Sequence, residues 1–196
     1  MDLNCRETAA SFIAKIQDLY DSGIQTDFFI AVTAKDKPKV VIAEFPVHSL
    51  VLAARSRVFL TTMTTDMTAK AKNRCEVNDI DEETMKIVID FLYFKLVIDR
   101  VKERPQQVFY AAQKYELQEL RKMAVDVIAK GISQDNFGEM LSFAMNLNAN
   151  DLAEEVINFC VLHYATLIKN DAFYDIINGA HGKVFLEMFN LKMESG

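Results

Sequence analysis

Residues that break helices and strands are scarce in this 196-residue sequence, which holds 6 Gly, 3 Pro and no Trp. Hydrophobic residues make up 51% of the chain, so neither a disordered nor a fibrous protein is indicated. Its three cysteines, Cys5, Cys75 and Cys160, are odd in number and far apart. This pattern favours reduced thiols in the cytosol or nucleus over a disulfide framework. The composition predicts a compact, helix-rich globular protein.

Positive charge is also in short supply, because 22 Lys and Arg residues face 28 Asp and Glu residues and the formal net charge is -6. The basic residues cluster in loop-sized groups at 35–39 and 70–74, so no broad face could neutralise nucleic-acid phosphates. The amino end carries early charges and no long apolar run, unlike a secretory signal or a membrane span. We expect a soluble protein of the cytoplasm, the nucleus or both, which binds neither nucleic acid nor membrane.

Catalytic and metal-binding residue types do not occur at productive spacings. The sequence has no Gly-rich phosphate loop, nucleotide fingerprint or zincin helix. Cys160 and His163 are one helical turn apart, but no second pair of ligands accompanies them. His48 and Ser56 fall on one short helix, whereas a nucleophile and its base usually converge from separate elements. We therefore predict no catalytic residue, metal site or cofactor, and a protein that is not an enzyme.

Apolar periodicity divides the chain into a mixed part and a purely helical part. An amphipathic helix opens the chain and ends near Ser22. Alternating residues at 28–33 and 40–45 predict a hairpin across a turn at 35–39, and both of its faces are apolar, as in a sheet covered by helices. Short strands are predicted at 74–77 and, at a sheet edge, at 96–98.

Helix-start and helix-stop residues locate the remaining elements. Ser49 begins a short helix with one inward face, formed by Leu52, Ser56, Phe59 and Met63. Asp81 is placed to cap the next helix, and the helix dipole explains the acidic first turn better than a metal or catalytic site does. Pro105 begins a further helix, and Gly131 closes the one after it. Only helices are predicted from 133 onward, with a turn at 146–150.

Four ordered blocks of the sequence resemble the BTB/POZ domain, in particular the branch of the speckle-type POZ protein and its MATH-BTB relatives. The blocks are TDFFIAV, FPVHSLVLAARSRVF, NRCEVNDIDEETMKIVIDFLY and AAQKYELQELRKMAV. The resemblance implies an α+β fold, in which a small mixed sheet flanked by helices precedes an all-helical BACK-like extension. It divides the chain into an N-terminal dimerisation helix at 1–25, a BTB/POZ domain at 26–130, and a three-box with partial BACK helices at 131–196.

In this family the opening helix packs against a partner subunit, so the resemblance implies a homodimer. The residues that it places at the interface are Phe12, Ile16, Leu19 and Tyr20. A lone amphipathic helix also needs a surface against which to bury its apolar face, and a partner subunit would provide one. The alternative is that the helix packs back on its own domain.

By resemblance, the adaptor branch binds cullin-3 through the loop after the third BTB helix, through the last BTB helices and through the three-box. The positions that correspond to this surface are Asp66, Met67, Ala69, Leu117 and Glu119. Cullin-binding relatives carry a glutamate where this chain has Ala69. Losing a charge-assisted hydrogen bond there would cost about 1.5 to 3 kcal/mol, so cullin-3 binding is expected to be weakened.

Two other positions depart from the family. In the family, the aspartate that corresponds to Asp27 pairs with a Lys or Arg directly after the histidine that corresponds to His48. This chain has Ser49 at the position of that cation. Asp27 must then find hydrogen-bond donors nearby, pair with Arg55, or be more exposed than usual. The usual Thr-Gly is Phe94-Lys95, so we expect a different local turn and edge strand. Structural roles are assigned to Asp27, His48, Arg55 and Ser56.

The function that this resemblance implies is protein binding, as a dimeric substrate adaptor of a cullin-3 ubiquitin ligase. The alternative is a homodimeric scaffold that has lost cullin binding. Relatives recognise their targets through MATH or kelch repeats, which this sequence does not contain. Recognition of the unknown substrate protein would then fall to the helical tail or to a segment outside this chain.

Overall fold

A computed structural model describes residues 3–195, with side chains described for 8–37, 40–67, 69, 71–171 and 173–194. The chain forms two compact units, Met1–Ala124 and Val125–Gly196. We call them the mixed unit and the helical unit, after their secondary structure. The division between them falls within a single helix, so each unit is described separately.

The mixed unit contains a three-stranded sheet of β1 (Phe28–Ala34), β2 (Lys37–Val47) and β3 (Arg74–Val77). The strand order is β2-β1-β3, with β1 antiparallel to β2 and parallel to β3. Because β1 is central, its side chains from Ile30 to Val32 are buried. These apolar and β-branched residues fit a pleated, buried surface.

The hairpin between β1 and β2 differs from its prediction. The turn consists of Lys35 and Asp36 alone, and β2 already begins at Lys37. The register shifts twice after Val32, which accommodates the extra residues of β2 as bulges do. The expectation that both faces are covered is wrong for this part of the edge strand, where three successive apolar side chains are exposed. These are Val40, Val41 and Ile42.

Helices surround the sheet. They are α1 (Leu3–Ser22), α2 (Ser49–Arg55), α3 (Arg57–Thr65), α4 (Met67–Lys72), α5 (Glu82–Leu92), α6 (Ile98–Glu103), α7 (Pro105–Lys114) and α8 (Gln118–Lys130). The predicted helix from Ser49 is in fact two, because the backbone of Ser56 is extended and separates α2 from α3. Asp81 caps α5 and Pro105 opens α7, as predicted.

The strand predicted at 96–98 is wrong. Ile98 is the first residue of α6, and residues 95–97 have no regular structure. The sheet in the described part of the chain ends at β2 and β3, neither of which pairs with this segment, and Leu96 is 86% exposed. A short apolar run without a pairing edge does not form a strand.

The helical unit continues from the end of α8 with α9 (Phe137–Asn146), α10 (Asn150–Leu162), α11 (Tyr164–Leu167), α12 (Asp171–Asn178) and α13 (Gly182–Ser195). Helix α10 packs on α9 and α13, and α12 packs on α13. Phe173, Phe185 and Phe189 contact one another at ring-centroid distances of 5.5 to 6.0 Å. The turn predicted at 146–150 is confirmed by the left-handed Asn148.

The cap of α5 provides a test of this fold. The Asp81 carboxylate accepts hydrogen bonds from the Thr84 N–H at 2.9 Å and from Arg104 at 2.7 Å. We expect Asp81→Ala to lower the free energy of unfolding by about 1 kcal/mol, as the loss of an N-cap does. Asp81→Asn keeps an acceptor for Thr84 and should cost less. Urea denaturation of both variants measures the difference, and equal losses would contradict the capping role.

Candidate functional site

The carboxylate of Asp27 is satisfied by Ser49, the residue that replaces the family's cation. It accepts hydrogen bonds from the Ser49 N–H at 2.7 Å and the Ser49 Oγ–H at 2.6 Å. Partial desolvation raises the pKa of Asp27, but these hydrogen bonds outweigh that effect and hold its pKa below the usual value. Asp27 is exposed, and no described hydrogen bond or ion pair joins it to Arg55. Two of the three predicted alternatives for Asp27 are therefore found, namely hydrogen-bond donors nearby and greater exposure, and pairing with Arg55 is not.

His48 connects the end of β2 to the end of α5. Its backbone N–H donates to the Tyr93 hydroxyl at 2.7 Å, and its Nδ1 lies 2.7 Å from the same oxygen. Its Nε2 lies 2.9 Å from the carbonyl oxygen of Ile24. Because a carbonyl can only accept, Nε2 carries the proton of the neutral ring, and the Tyr93 hydroxyl donates to Nδ1. His48 therefore satisfies a buried phenol on one side and a loop carbonyl on the other.

Ser56 occupies the break between α2 and α3 and is 2% exposed. Its hydroxyl donates to the Tyr115 carbonyl oxygen at 2.8 Å and accepts from the Phe59 N–H at 3.3 Å. The second bond caps α3, which is what a serine with extended backbone does at a helix start. The rings of Phe59 and Tyr115 stack 4.3 Å apart beside it. Both hydrogen bonds of Ser56 thus serve packing within the mixed unit.

Arg55 lies over the turn that follows α5. Its guanidinium carbon is 4.1 Å from the centre of the Phe94 ring and 5.1 Å from that of Phe91. Phe94 stands where the family usually has the threonine of its Thr-Gly pair, and it has φ 59°, a left-handed conformation that is costly for a residue with a Cβ. The Lys95 N–H donates to the Asp90 carbonyl oxygen at 2.9 Å and closes the helix. The cation stacking on Phe94 helps to hold this strained turn.

The four residues predicted at a dimer interface lie on α1 with graded exposure. Phe12 is 63% exposed, whereas Ile16, Leu19 and Tyr20 are half-buried. Tyr20 stacks on Tyr93 of its own chain with ring centroids 4.1 Å apart. The end of α1 is therefore held by its own mixed unit, and the apolar stripe towards Phe12 faces solvent.

An ion cluster beside Tyr20 was not anticipated. Asp90, only 4% exposed, accepts from Lys86 at 3.0 Å and from Arg100 at 2.8 Å. Lys86 also donates to the Tyr20 hydroxyl at 2.7 Å. Burial first, and then the charge of Asp90, raise the pKa of Tyr20 above its ordinary value. The spacing of Lys86 and Asp90, four residues apart on one helix, was the signal in the sequence that could have revealed this pair.

The segment predicted to bind cullin-3 includes an exposed apolar side chain. Met67 is 85% exposed at the start of α4, and the Asp66 carboxylate accepts from the Ala69 N–H at 3.1 Å. Ala69 itself is only 3% exposed. The position where relatives carry glutamate therefore faces the interior of this protein.

The other two residues assigned to the cullin surface differ in exposure. Leu117 is buried, and its N–H donates to the Ala112 carbonyl oxygen at 2.8 Å. Glu119 is exposed and lines a surface groove of about 370 Å³ together with Arg55, Phe94 and Leu96. Burial lowers the pKa of Arg55, and the charge of Glu119 partly offsets this. Of this pair, Glu119 alone offers its side chain to a partner.

The chemistry of the described residues is that of packing and surface contact. They contain no group of three or more His, Cys, Asp or Glu side chains positioned to hold a metal ion. Cys160 is fully buried, and burial raises the pKa of its thiol to about 12, so it is a poor nucleophile. None of the helices within residues 3–195 has the length and apolarity needed to span a bilayer.

Comparison with known proteins identifies a match over most of the mixed unit. The family model of the BTB/POZ domain matches residues 16–132, which is more than half of the chain. Among solved structures, the chain is similar to the BTB domain of zebrafish PATZ1, with 20% sequence identity and a TM-score of 0.49. That alignment covers 64% of this chain and 94% of the PATZ1 chain.

The hydrogen bonds between Ser49 and Asp27 make a prediction about pH. In Ser49→Ala the Oγ–H bond is lost and the N–H bond remains, so the pKa of Asp27 should rise towards its usual value. A lowered folded-state pKa stabilises the protein above the unfolded value of about 3.9, and this contribution is lost as the pH falls. The variant should therefore show a smaller loss of stability on acidification.

Carboxyl-carbon NMR titration of Asp27 measures this change directly. Ser142→Ala, an exposed serine in the helical unit, is the matched control and should leave the pKa of Asp27 unaltered. An identical Asp27 titration in Ser49→Ala and the unsubstituted protein would show that Ser49 does not set this pKa.

Proposed function

The chain belongs to the BTB/POZ family, and from this membership we propose that it is a homodimeric substrate adaptor of a cullin-3 ubiquitin ligase. BTB domains are protein-interaction modules that are commonly dimeric, and in some families they are cullin-3 adaptors. They are typically not enzymes. The expectation of an α+β BTB/POZ fold, with helices following it, is confirmed.

Self-association is supported by the surface of α1. Phe12 remains 63% exposed, although the far end of the same helix is held by Gln17, whose side-chain N–H donates to the Tyr93 carbonyl oxygen at 3.1 Å. A helix anchored at one end presents its apolar stripe in a defined orientation. Burying such a stripe against an identical copy is a common way to form a symmetric dimer.

Phe12→Asp should weaken this dimer, because a carboxylate would be transferred from water into an apolar interface. We expect the dimer dissociation constant to rise tenfold or more, a change of about 1.4 kcal/mol or greater. Sedimentation velocity over a dilution series measures the constant. Ser11→Asp adds the same charge at the neighbouring exposed position and is expected to have a smaller effect. A chain that is monomeric at every concentration would refute the homodimer.

Binding to cullin-3 is supported by Met67, the single observation on which the adaptor role most depends. This side chain is 85% exposed at the start of α4, at the position where cullin-binding relatives carry an apolar residue. A fully exposed methionine gains apolar burial when a partner covers it. Glu119 is also exposed, and in this proposal it makes a charged contact at the rim of the interface.

Met67→Asp should weaken binding to cullin-3 by tenfold or more, since it places a charge where apolar contact is expected. Isothermal titration with the amino-terminal domain of cullin-3 provides the measurement. Ile42→Asp is the control, because Ile42 is an exposed apolar residue of the edge strand β2 and is not one of the positions assigned to the cullin-3 surface. If the unsubstituted protein gives no signal at micromolar concentrations, the adaptor role is excluded.

A homodimeric scaffold without cullin binding is the second candidate, and Ala69 favours it. Because this position is buried, Ala69→Glu would have to desolvate a carboxylate. A loss of cullin-3 binding in Ala69→Glu would therefore not separate a disturbed fold from a missing contact. Light scattering combined with the cullin-3 titration is cleaner, since a dimer mass without a titration signal selects the scaffold.

Within this proposal, residues 131–196 act as a three-box and the start of a BACK region, because their sequence resembles these regions of adaptor proteins. The thiols Cys75 and Cys160 are free, which suits the cytoplasm or nucleus. We assign no catalytic role, cofactor, nucleic acid or membrane to the protein, and its substrate is a protein of unknown identity.

A further inference from the structure

A groove in the helical unit runs between α9 and α12 and has a volume of about 640 Å³. This lies within the usual size range of ligand sites. Its lining includes the buried Leu141, the half-buried Ile176 and the exposed carboxylates of Glu139 and Asp175. The lining is thus apolar inside and acidic at the edge. We call it the α9–α12 groove.

Two contacts define the length of the α9–α12 groove. At one end Gly138 lets α12 approach closely, because a Cβ at this position would lie 3.3 Å from Cδ1 of Ile176. At the other end His181 Nε2 lies 3.2 Å from Asn146 Oδ1. Residues 138 and 146 are eight apart on α9, or about 12 Å at the rise of an α-helix. The groove is long enough for one extended side chain and the residues beside it.

The turn after α12 is built tightly enough to hold His181 in place. A Cβ at Gly182 would lie 1.9 Å from the Ile177 carbonyl oxygen, and one at Gly179 would lie 2.8 Å from that of Asp175. No other residue could follow this path without moving the backbone. The end wall of the groove is therefore part of the packed fold.

Charge identifies the kind of partner that fits. The helical unit holds 10 Asp and Glu against 4 Lys and Arg, a formal net charge of -6, whereas residues 1–124 hold 18 of each. The whole negative charge of the protein thus resides in the helical unit. Glu139 and Asp175 are exposed, and neither forms an ion pair with any described residue. Two unpaired carboxylates beside an apolar floor complement a cation on an aliphatic stem.

We propose that the α9–α12 groove binds a basic segment of a partner protein, with an arginine or lysine side chain between Glu139 and Asp175. The aliphatic stem would lie on Leu141 and Ile176, and the cationic head would reach the two carboxylates. This assigns target recognition to the helical unit. The proposal rests on the role of the protein as an interaction module but not on cullin-3.

Fluorescence anisotropy with the full chain tests this assignment. The probe is a labelled peptide of three Leu-Arg-Ser repeats, compared with the same peptide in which citrulline, a neutral isostere, replaces arginine. The full chain should bind the arginine peptide at least tenfold more tightly. The double variant Glu139→Gln with Asp175→Asn should reduce this preference to below about twofold, with an unchanged circular dichroism spectrum.

A matched double variant, Glu155→Gln with Glu187→Gln, removes the same two charges from exposed positions outside the groove. It should retain most of the preference for arginine. Equal losses in the two double variants, or no preference in the unsubstituted protein, would overturn the proposal. A cullin-3 titration of the groove variant is an independent readout. Loss of arginine preference with unaltered cullin-3 binding supports the groove, and absence of cullin-3 binding in all variants leaves the peptide result standing.

Discussion

A buried phenol must have hydrogen-bond partners, because an unsatisfied polar group in the interior costs about 1 to 3 kcal/mol. Tyr93 meets this requirement at the junction of three elements. Its hydroxyl bonds to the N–H and Nδ1 of His48, its carbonyl oxygen accepts from Gln17 of α1, and its ring stacks on Tyr20. Burial raises its pKa to about 12. The start of α2, the end of α5 and the orientation of α1 all depend on this residue.

The anchoring of α1 at one end links the interior to the proposed dimer. If α1 were free, the apolar stripe towards Phe12 could fold back or remain disordered, and its orientation would carry no information. Because Tyr20 is held between Tyr93 and Lys86, α1 has a fixed orientation in which Phe12 is exposed. The proposed interaction surface on α1 thus depends on contacts in the interior of the mixed unit.

The two units divide their electrostatic roles. In the mixed unit, positive and negative residues balance in number, and the buried charge of Asp90 is neutralised by Lys86 and Arg100. Such pairs specify packing more than they stabilise it. In the helical unit, acidic residues outnumber basic ones by 10 to 4. An excess of charge of one sign destabilises a compact fold through self-repulsion, but it attracts partners of the opposite charge.

Local pattern was enough to identify the strands at 28–33 and 74–77, most helices and the cap at Asp81, because these depend on periodicity and on neighbours a few residues away. Family resemblance supplied the domain and candidate interface positions. What local pattern missed depends on distant contacts. The 96–98 run pairs with no described strand and leads into α6, and Ser49 satisfies Asp27 across 22 residues. Ala69 is buried while Met67, two residues away, is exposed. Such differences arise only when separate elements pack, since burial is a property of the assembled tertiary structure and not of the residue.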